Sequence, residues 1–381
     1  MKDVAAARLD AHVVLVHAAA RVLPALTAEN AAAERARLVD AVSRGDAPDA
    51  RFVYAARKPP PGVRESLDAA RALAPSSPAA ALYLARLDEL ELDLRILEAI
   101  GEPRVVRPLA AQRYGTGAMR VTTAEGRELP IAETAREMLR VAPVEPEART
   151  LPADDARGGP SAARVVRELA RAAGLEIVVR VEPRLAAAAA SGERSIVLAA
   201  RPFGPREALR IAVHEVLGHL VSARNARLQP LRLLEVGTAG SFGDQEGVAL
   251  TLEEHAGVLD GTRARILAAR VLATDGVHDG MSFGECARML VREHGFLPDI
   301  AVAVSERAFR GGGVARDAGY LRGWLRVRSA LAAGELKLDE LRVGRVGVAD
   351  VAPLRVLIAD GVLRVGVLCP SVAMAMRMPA A

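Results

Sequence analysis

The segment His214-Glu215-Val216-Leu217-Gly218-His219 decides how the rest of the chain is read. It lies in an apolar stretch running from Arg206 to about Arg224, just after Gly204-Pro205, and the pattern predicts one long helix there. A zinc hydrolase needs two neutral imidazoles on one face, an adjacent carboxylate to take a proton from bound water, and a third ligand from elsewhere. The usual helical version spaces the histidines four apart. Here the interval is 219 − 214 = 5, and Gly218 stands where the second histidine would be. Five residues of ideal α-helix rotate the second side chain about 140° from the first, on the wrong side for chelation. One wider π-type turn returns positions i and i+5 to one face, and such turns are frequent at functional sites. Gly218 tolerates that distortion. The spacing therefore asks for a local helix defect if the histidines chelate. The alternative is a pair of core histidines bonded to backbone.

The next signal lies downstream. Asp244-Gln245-Glu246-Gly247-Val248-Ala249 opens a second helical stretch, with Glu246 at 246 − 219 = 27 residues past His219. A glutamate on a second helix is the expected third ligand of a two-histidine zinc hydrolase. Gly247 beside it permits close helix approach. The alternative places Glu246 in a solvated first turn, where acids favour the helix dipole, behind an Asp244 N-cap.

Four elements in this region carry a family resemblance: His214-Glu-Val-Leu-Gly-His219, Arg224-Asn225, Gln229-Pro230 and Gln245-Glu-Gly-Val-Ala249. In order and spacing they resemble the bacterial flavohaemoglobin expression-modulating QEGLA-motif proteins and the related microtubule-associated tyrosine carboxypeptidase of animals. Val248 stands where the family label has Leu. The likeness is fullest over residues 161–330; further upstream, Arg113-Tyr114-Gly115 resembles a short family motif. It implies zinc held by His214, His219 and Glu246, with Glu215 as general base in peptide hydrolysis. The fold expected is α+β and mainly helical: a gluzincin-like metallopeptidase domain with a small sheet, plus an N-terminal helical region.

Substrate-binding candidates lie on either side. The strand expected at Ser195–Ala199, with Ile196 and Leu198 on one face, is a candidate edge for an added substrate strand. It reads equally as an ordinary edge strand. The segment Glu306-Arg307-Ala-Phe309-Arg310-Gly311-Gly-Gly313, then Arg316-Asp317 and Tyr320-Leu321-Arg-Gly323, resembles the family's Arg-Gly-Gly…Tyr-Leu-x-Gly region. Arginines around a glycine loop suit a carboxylate clamp. Arg310 is the candidate for a terminal carboxylate, with Arg307 beside it, and Tyr320 for the oxyanion. Tyr320 could equally be a core residue beside Trp324.

Farther out the chain is plainer. Helices are expected at Val4 to Val22 (Leu9, Val13, Val16 and Ala20 on one face), from Thr27 as N-cap to Ser43, at Val63 to Ala74, and from Ser77-Pro78 to about Ile100. The Pro-, Gly- and acid-rich stretch 142–160 is the linker candidate, giving an accessory region 1–141 and a catalytic domain 161–381. The Val/Gly alternation after 340 reads as short strands. Cys286 with His294 lacks the rest of a thiol site, His255 is either a residue orienting a ligand or plain helix face, and His278 sits in a polar turn.

Composition bounds the reading. The chain has 381 residues, enough for about two domains by the rule of roughly 150 residues each. Two cysteines cannot make a disulfide framework. The charge of 51 − 47 = +4 is near balance, and 11 aromatics (6 Phe, 4 Tyr, 1 Trp) are too few for single-strand stacking platforms, so no nucleic-acid partner is expected. No apolar run is expected to reach the roughly 18 residues of a membrane span, and no signal-peptide layout opens the chain. A cytoplasmic enzyme acting on a peptide or protein C-terminus is the expectation. A metal-binding regulatory protein and a zinc amidase for small or wall-derived substrates are the competing readings; Glu215 weighs against the first, cytoplasmic location against wall substrates.

Overall fold

A computed structural model of the chain describes residues 2–55, 58–122, 126–145, 149–156, 158–183, 185, 187–366 and 368–377. It is mainly helical with two small sheets. The chain divides into two compact units, Met1–Ala142 with Ala264–Arg322, and Pro143–Arg263 with Gly323–Ala381. This differs from a single cut at 142–160. The first crossing falls at the start of that stretch, but residues 264–322 belong with the N-terminal residues.

In the first unit, the helix Lys2–Ala19 buries Leu9, Val13 and Val16 at helical spacing. By length and composition alone, Val4–Leu26 is apolar enough to cross a membrane. That corrects the expectation that no run is long enough: Arg8, Asp10 and Arg21 interrupt the run without lowering its average far. The second helix is Ala31–Ser43, preceded by Asn30 rather than capped by Thr27. Helices Val63–Leu73, Ala80–Glu98, Pro103–Tyr114 and Ile131–Val141 follow, with a two-stranded hairpin β1 (Arg120–Thr122) and β2 (Glu128–Pro130) before the last. Residues 264–322 join them through an apolar cluster. Leu38 and Val42 of the second helix pack with Phe283, Ala287 and Val302, and the Phe283 ring stands 6.2 Å from Phe52 and 5.7 Å from Phe309. A complete capping box at Ser282 and Glu285 starts the helix Phe283–Arg292 that carries this contact.

The second unit holds a three-stranded sheet of order β3 (Val178–Glu182), β5 (Ser195–Ala199), β4 (Ala189–Ser191). β5 pairs parallel with β3 and antiparallel with β4, so it is the central strand. The expectation of a free edge at Ser195–Ala199 is thereby corrected. Ile196 is fully buried, as an inward residue of a covered strand must be. β3 and β4 are the edges, and β4, built from the alanine-rich stretch, is the one that adjoins the histidine helix. The 142–160 stretch is anchored where it is described. Leu151 forms an antiparallel bridge with Phe203, and the carbonyls of Pro152 and Ala153 accept from Ala162 and Ala163. After 340 the described residues form the short helix Leu338–Leu341, the helix Val351–Ala359 and the turn of helix Ala373–Met376, with no strand among them. The expected Val/Gly strands are absent there: side-chain amides, not a neighbouring strand, take the carbonyls of Leu341, Arg342, Val343 and Val346, and Arg345 bonds to the backbone of Leu234 and Thr238.

Candidate metal centre

The histidine segment sits in one continuous helical run: α-helix Pro205–Ala212, π-helix Val213–Leu220, α-helix Val221–Ala226. The defect that the five-residue spacing asks for is present. At its end the Val221 N–H donates to Val216 O, an interval of 221 − 216 = 5. The extra residue per turn brings His214 and His219 to the same face, their ring centroids 4.9 Å apart. Such a turn leaves carbonyls without the usual partner, and Ser222 Oγ donates to Gly218 O at 2.9 Å.

The second helix, Ser241–His255, crosses close to this turn. A Cβ placed on Gly218 would meet Ala249 Cβ at 2.7 Å, so Gly218 lets the two backbones approach. On the other side of this helix, a Cβ on Gly247 would meet the Gly323 backbone at 2.3 Å. Gly240, not Asp244, precedes the first residue of the helix, and Glu246 lies one turn in, buried. The solvated first-turn alternative is thus excluded for Glu246.

Three ligand atoms converge. His214 Nε2 lies 3.2 Å from His219 Nε2 and 3.3 Å from Glu246 Oε2, and His219 Nε2 lies 3.6 Å from Glu246 Oε2. Glu246 Oε2 is buried and accepts no well-formed hydrogen bond among the described residues. A buried carboxylate oxygen facing two imidazole nitrogens is a donor set arranged around a common point, and these residues could hold a metal ion.

One residue here was not anticipated. Glu253 Oε1 lies 2.6 Å from His214 Nδ1, and the same carboxylate takes Arg263 Nη2 at 3.1 Å and Nε at 3.2 Å. It fixes which imidazole nitrogen faces the centre, since Nδ1 is committed to the carboxylate. The signal was available: Glu253 is seven residues, two helical turns, beyond Glu246 and shares its face. His255 is exposed helix surface, so the orienting role is Glu253's. Burial opposes charge on His214, but the carboxylates of Glu246 and Glu253 outweigh it and raise the imidazole to about 9. Burial also works against the Glu253 anion, yet Arg263 and His214 bring it down to about 2. Glu215, next to His214, is largely buried.

The arginine–glycine segment lies in the first unit. Asp317 is buried, with the Arg307 Nε hydrogen-bonded to it and Arg270 Nε 3.7 Å away. Burial disfavours its charge, but Arg307, Arg270 and Arg310 hold the carboxyl well below the usual range. Arg307 is therefore already paired with a carboxylate of the chain. Arg310 forms no ion pair among the described residues, and its Nε is buried without an acceptor. Burial and the neighbouring Arg307 lower its guanidinium to about 10. The Tyr320 ring lies 5.3 Å from the Arg270 guanidinium and 5.8 Å from that of Arg307. Gly311, Gly312 and Gly313 all have positive φ (67°, 92° and 110°), and a Cβ on Gly311 would strike Leu26 at 2.5 Å. Arg113 of the Arg-Tyr-Gly motif pairs with Asp93 and Glu89, and Tyr114 donates to Asp93.

The remaining candidates are structural. Cys286 is buried against Ser305, and burial pushes its thiol up to about 11, unlike a nucleophile. His278 is half-buried rather than solvated, with its charge disfavoured by burial and by Arg107.

The fold and site define a mainly helical protein with a two-histidine, one-glutamate centre on a π-distorted helix. Residues 50–380 match the family model described as microtubule-associated tyrosine carboxypeptidase, and the chain belongs to that family. The family points to carboxypeptidase-like activity on a peptide or protein. Neither the curated proteins nor the solved structures give a match.

Proposed function

We propose that the chain is a zinc-dependent carboxypeptidase-like hydrolase, with zinc on His214, His219 and Glu246. The observation that carries this is the triangle of ligand atoms. Zinc–nitrogen bonds of about 2.0–2.1 Å and zinc–oxygen bonds of about 2.0–2.2 Å in a tetrahedron require ligand atoms about 3.3–3.5 Å apart. The separations of 3.2, 3.3 and 3.6 Å fit without rearrangement.

Bound there, zinc would polarise a scissile carbonyl and lower the pKa of a water. Glu215 takes the water proton on its carboxylate and passes it to the leaving amine. Glu253 holds the His214 ring by Nδ1, so that Nε2 stays the ligating atom. β4 is the better candidate than β5 for holding an extended peptide. The residues flanking β4, Ala188 and Gly192, bond to β5, so Ala189 and Ser191 turn their N–H and C=O groups away from β5. For the substrate carboxylate Arg310 remains the candidate on charge, and Tyr320 the oxyanion donor; both assignments rest on the sequence and on the charge of their own cluster.

Zinc content and a digest of a peptide library with varied C-termini test this for wild type and Glu215→Gln. The variant is expected to keep zinc and to release C-terminal residues about 10²- to 10⁴-fold more slowly, as for loss of a general base. A zinc-loaded wild type that releases nothing, or a variant as active as wild type, overturns the reading.

A further inference from the structure

Three side-chain amides of the second unit converge on one loop. Gln245 Nε2, next to the ligand Glu246, donates to Leu341 O at 2.9 Å and to Val346 O at 3.0 Å. Asn225, six residues past His219, donates to Arg342 O and Leu368 O at 2.8 Å each, and accepts from Leu368 N at 2.9 Å. Gln229 donates to Arg364 O at 3.0 Å and Val343 O at 3.4 Å, and accepts from Arg364 N at 2.9 Å. The loop Leu341–Val346 answers with its own cation. Arg342, buried and paired with Asp339, points its Nη1 at Leu217 O, 3.5 Å away inside the π-helix, and at Pro370 O, 3.3 Å away. Asp244, one residue before Gln245, accepts from Val348 N at 2.7 Å.

Each amide sits on, or just beyond, a helix that carries metal ligands, and each donates to a carbonyl of the same distant loop, Asn225 and Gln229 also bonding the backbone of Leu368 and Arg364. One helical run carries His214 and His219; the other helix carries Glu246. Their backbones approach closely at Gly218 and Ala249, two residues with almost no side chain to set a register, and the His214–Glu253 hydrogen bond ties them at one point only. We propose that the loop Leu341–Val346 is a bracket that fixes the spacing of the two ligand helices, and that Gln245 and Arg342 are positioning residues for the metal centre. Gln245 holds the Glu246 helix to the loop, and Arg342 holds the loop to a π-helix carbonyl between the two histidines. The inference rests on the metal reading above.

The test is zinc affinity of the full chain, measured by competition with a chromogenic chelator, with the Co²⁺ visible spectrum as a report of ligand geometry. Gln245→Met removes both donors at similar volume; Arg342→Lys shortens the reach to Leu217 O and is the second variant should the first fail to fold. Arg355→Met, which breaks an exposed pair with Glu340, is the control. Folding of each metal-free protein is checked by circular dichroism. The expected result is about a 10- to 100-fold loss of zinc affinity and a weakened Co²⁺ spectrum in folded Gln245→Met or Arg342→Lys, with the control unchanged. Wild-type affinity and spectrum in a folded variant overturn the bracket, even with a lowered Tm, because that outcome is purely structural. A wild type that binds no zinc overturns the metal reading and the bracket together.

Discussion

His214 is held from both sides: Glu246 faces Nε2 and Glu253 takes Nδ1. Removing the second contact should leave the ligand present but poorly oriented. Glu253→Gln is expected to lower zinc affinity about 10- to 100-fold, the usual cost of losing an outer-shell partner. Glu253→Ala also leaves Arg263 without its carboxylate and should cost about 3–5 kcal/mol of stability. Chelator competition and thermal unfolding separate the two effects. The thiols offer a second check at this scale. Cys369 is exposed, whereas Cys286 is buried and its thiol is raised to about 11. Native protein at pH 8 should therefore titrate one fast thiol with a disulfide reagent and a second only on unfolding; Cys369→Ser should abolish the fast reaction.

At the scale of elements, the deciding feature is the π-helix at Val213–Leu220. It was legible because two histidines five positions apart cannot chelate from an α-helix, and the carboxylate between them gave the pair a purpose. Glu246 was legible for the same reason, as a carboxylate on a second helix. The strand order was not: β4 consists of alanines and a serine, which carry no period-2 pattern, so the sequence leaves β5 without a visible second neighbour. Nor was the fate of the Val/Gly tail, where the carbonyls of Leu341 and Val346 accept from Gln245, more than 90 residues away. The close crossing at Gly218 yields its own test. Gly218→Ala introduces a Cβ 2.7 Å from Ala249 Cβ, so the helices must part. Overpacking of this kind costs about 1–3 kcal/mol, and zinc affinity should fall with it. Ala249→Gly on the Gly218→Ala background should recover much of both. Zinc affinity lost in the single variant and not regained in the double would show that the glycine serves the turn itself, not the crossing.

On the scale of the whole molecule, the chain leaves its first unit at Ala142, returns at Ala264 and leaves again after Arg322. A discontinuous unit has no compositional boundary to read, because the helix Gly261–His278 carries the return crossing without a Pro or Gly break at Ala264. The returning segment brings Phe283 and Phe309 to the aromatic cluster, and it brings Arg270, Arg307 and Arg310 around Asp317. Asp317 is thus a carboxylate on which the first unit depends. Its folded-state pKa is depressed, so its contribution is complete above the ordinary carboxylate range. That contribution is lost progressively as pH falls through that range toward the lower folded value. Stability measured by urea unfolding should therefore be insensitive to this residue's titration from pH 8 to about 5 and decline below about 4, where an unfolded-state Asp begins to take up protons. Asp317→Asn removes the buried carboxylate that Arg307 and Arg270 face at every pH and should cost about 3–5 kcal/mol at pH 7. The penalty should shrink in acid, because the unfolded wild type takes up a proton on this residue there while the folded protein still holds the anion, which offsets part of its contribution. A penalty equally large at pH 7 and pH 3 would mean that the asparagine disturbs packing, and that the buried charge is not what holds residues 307–317 in place.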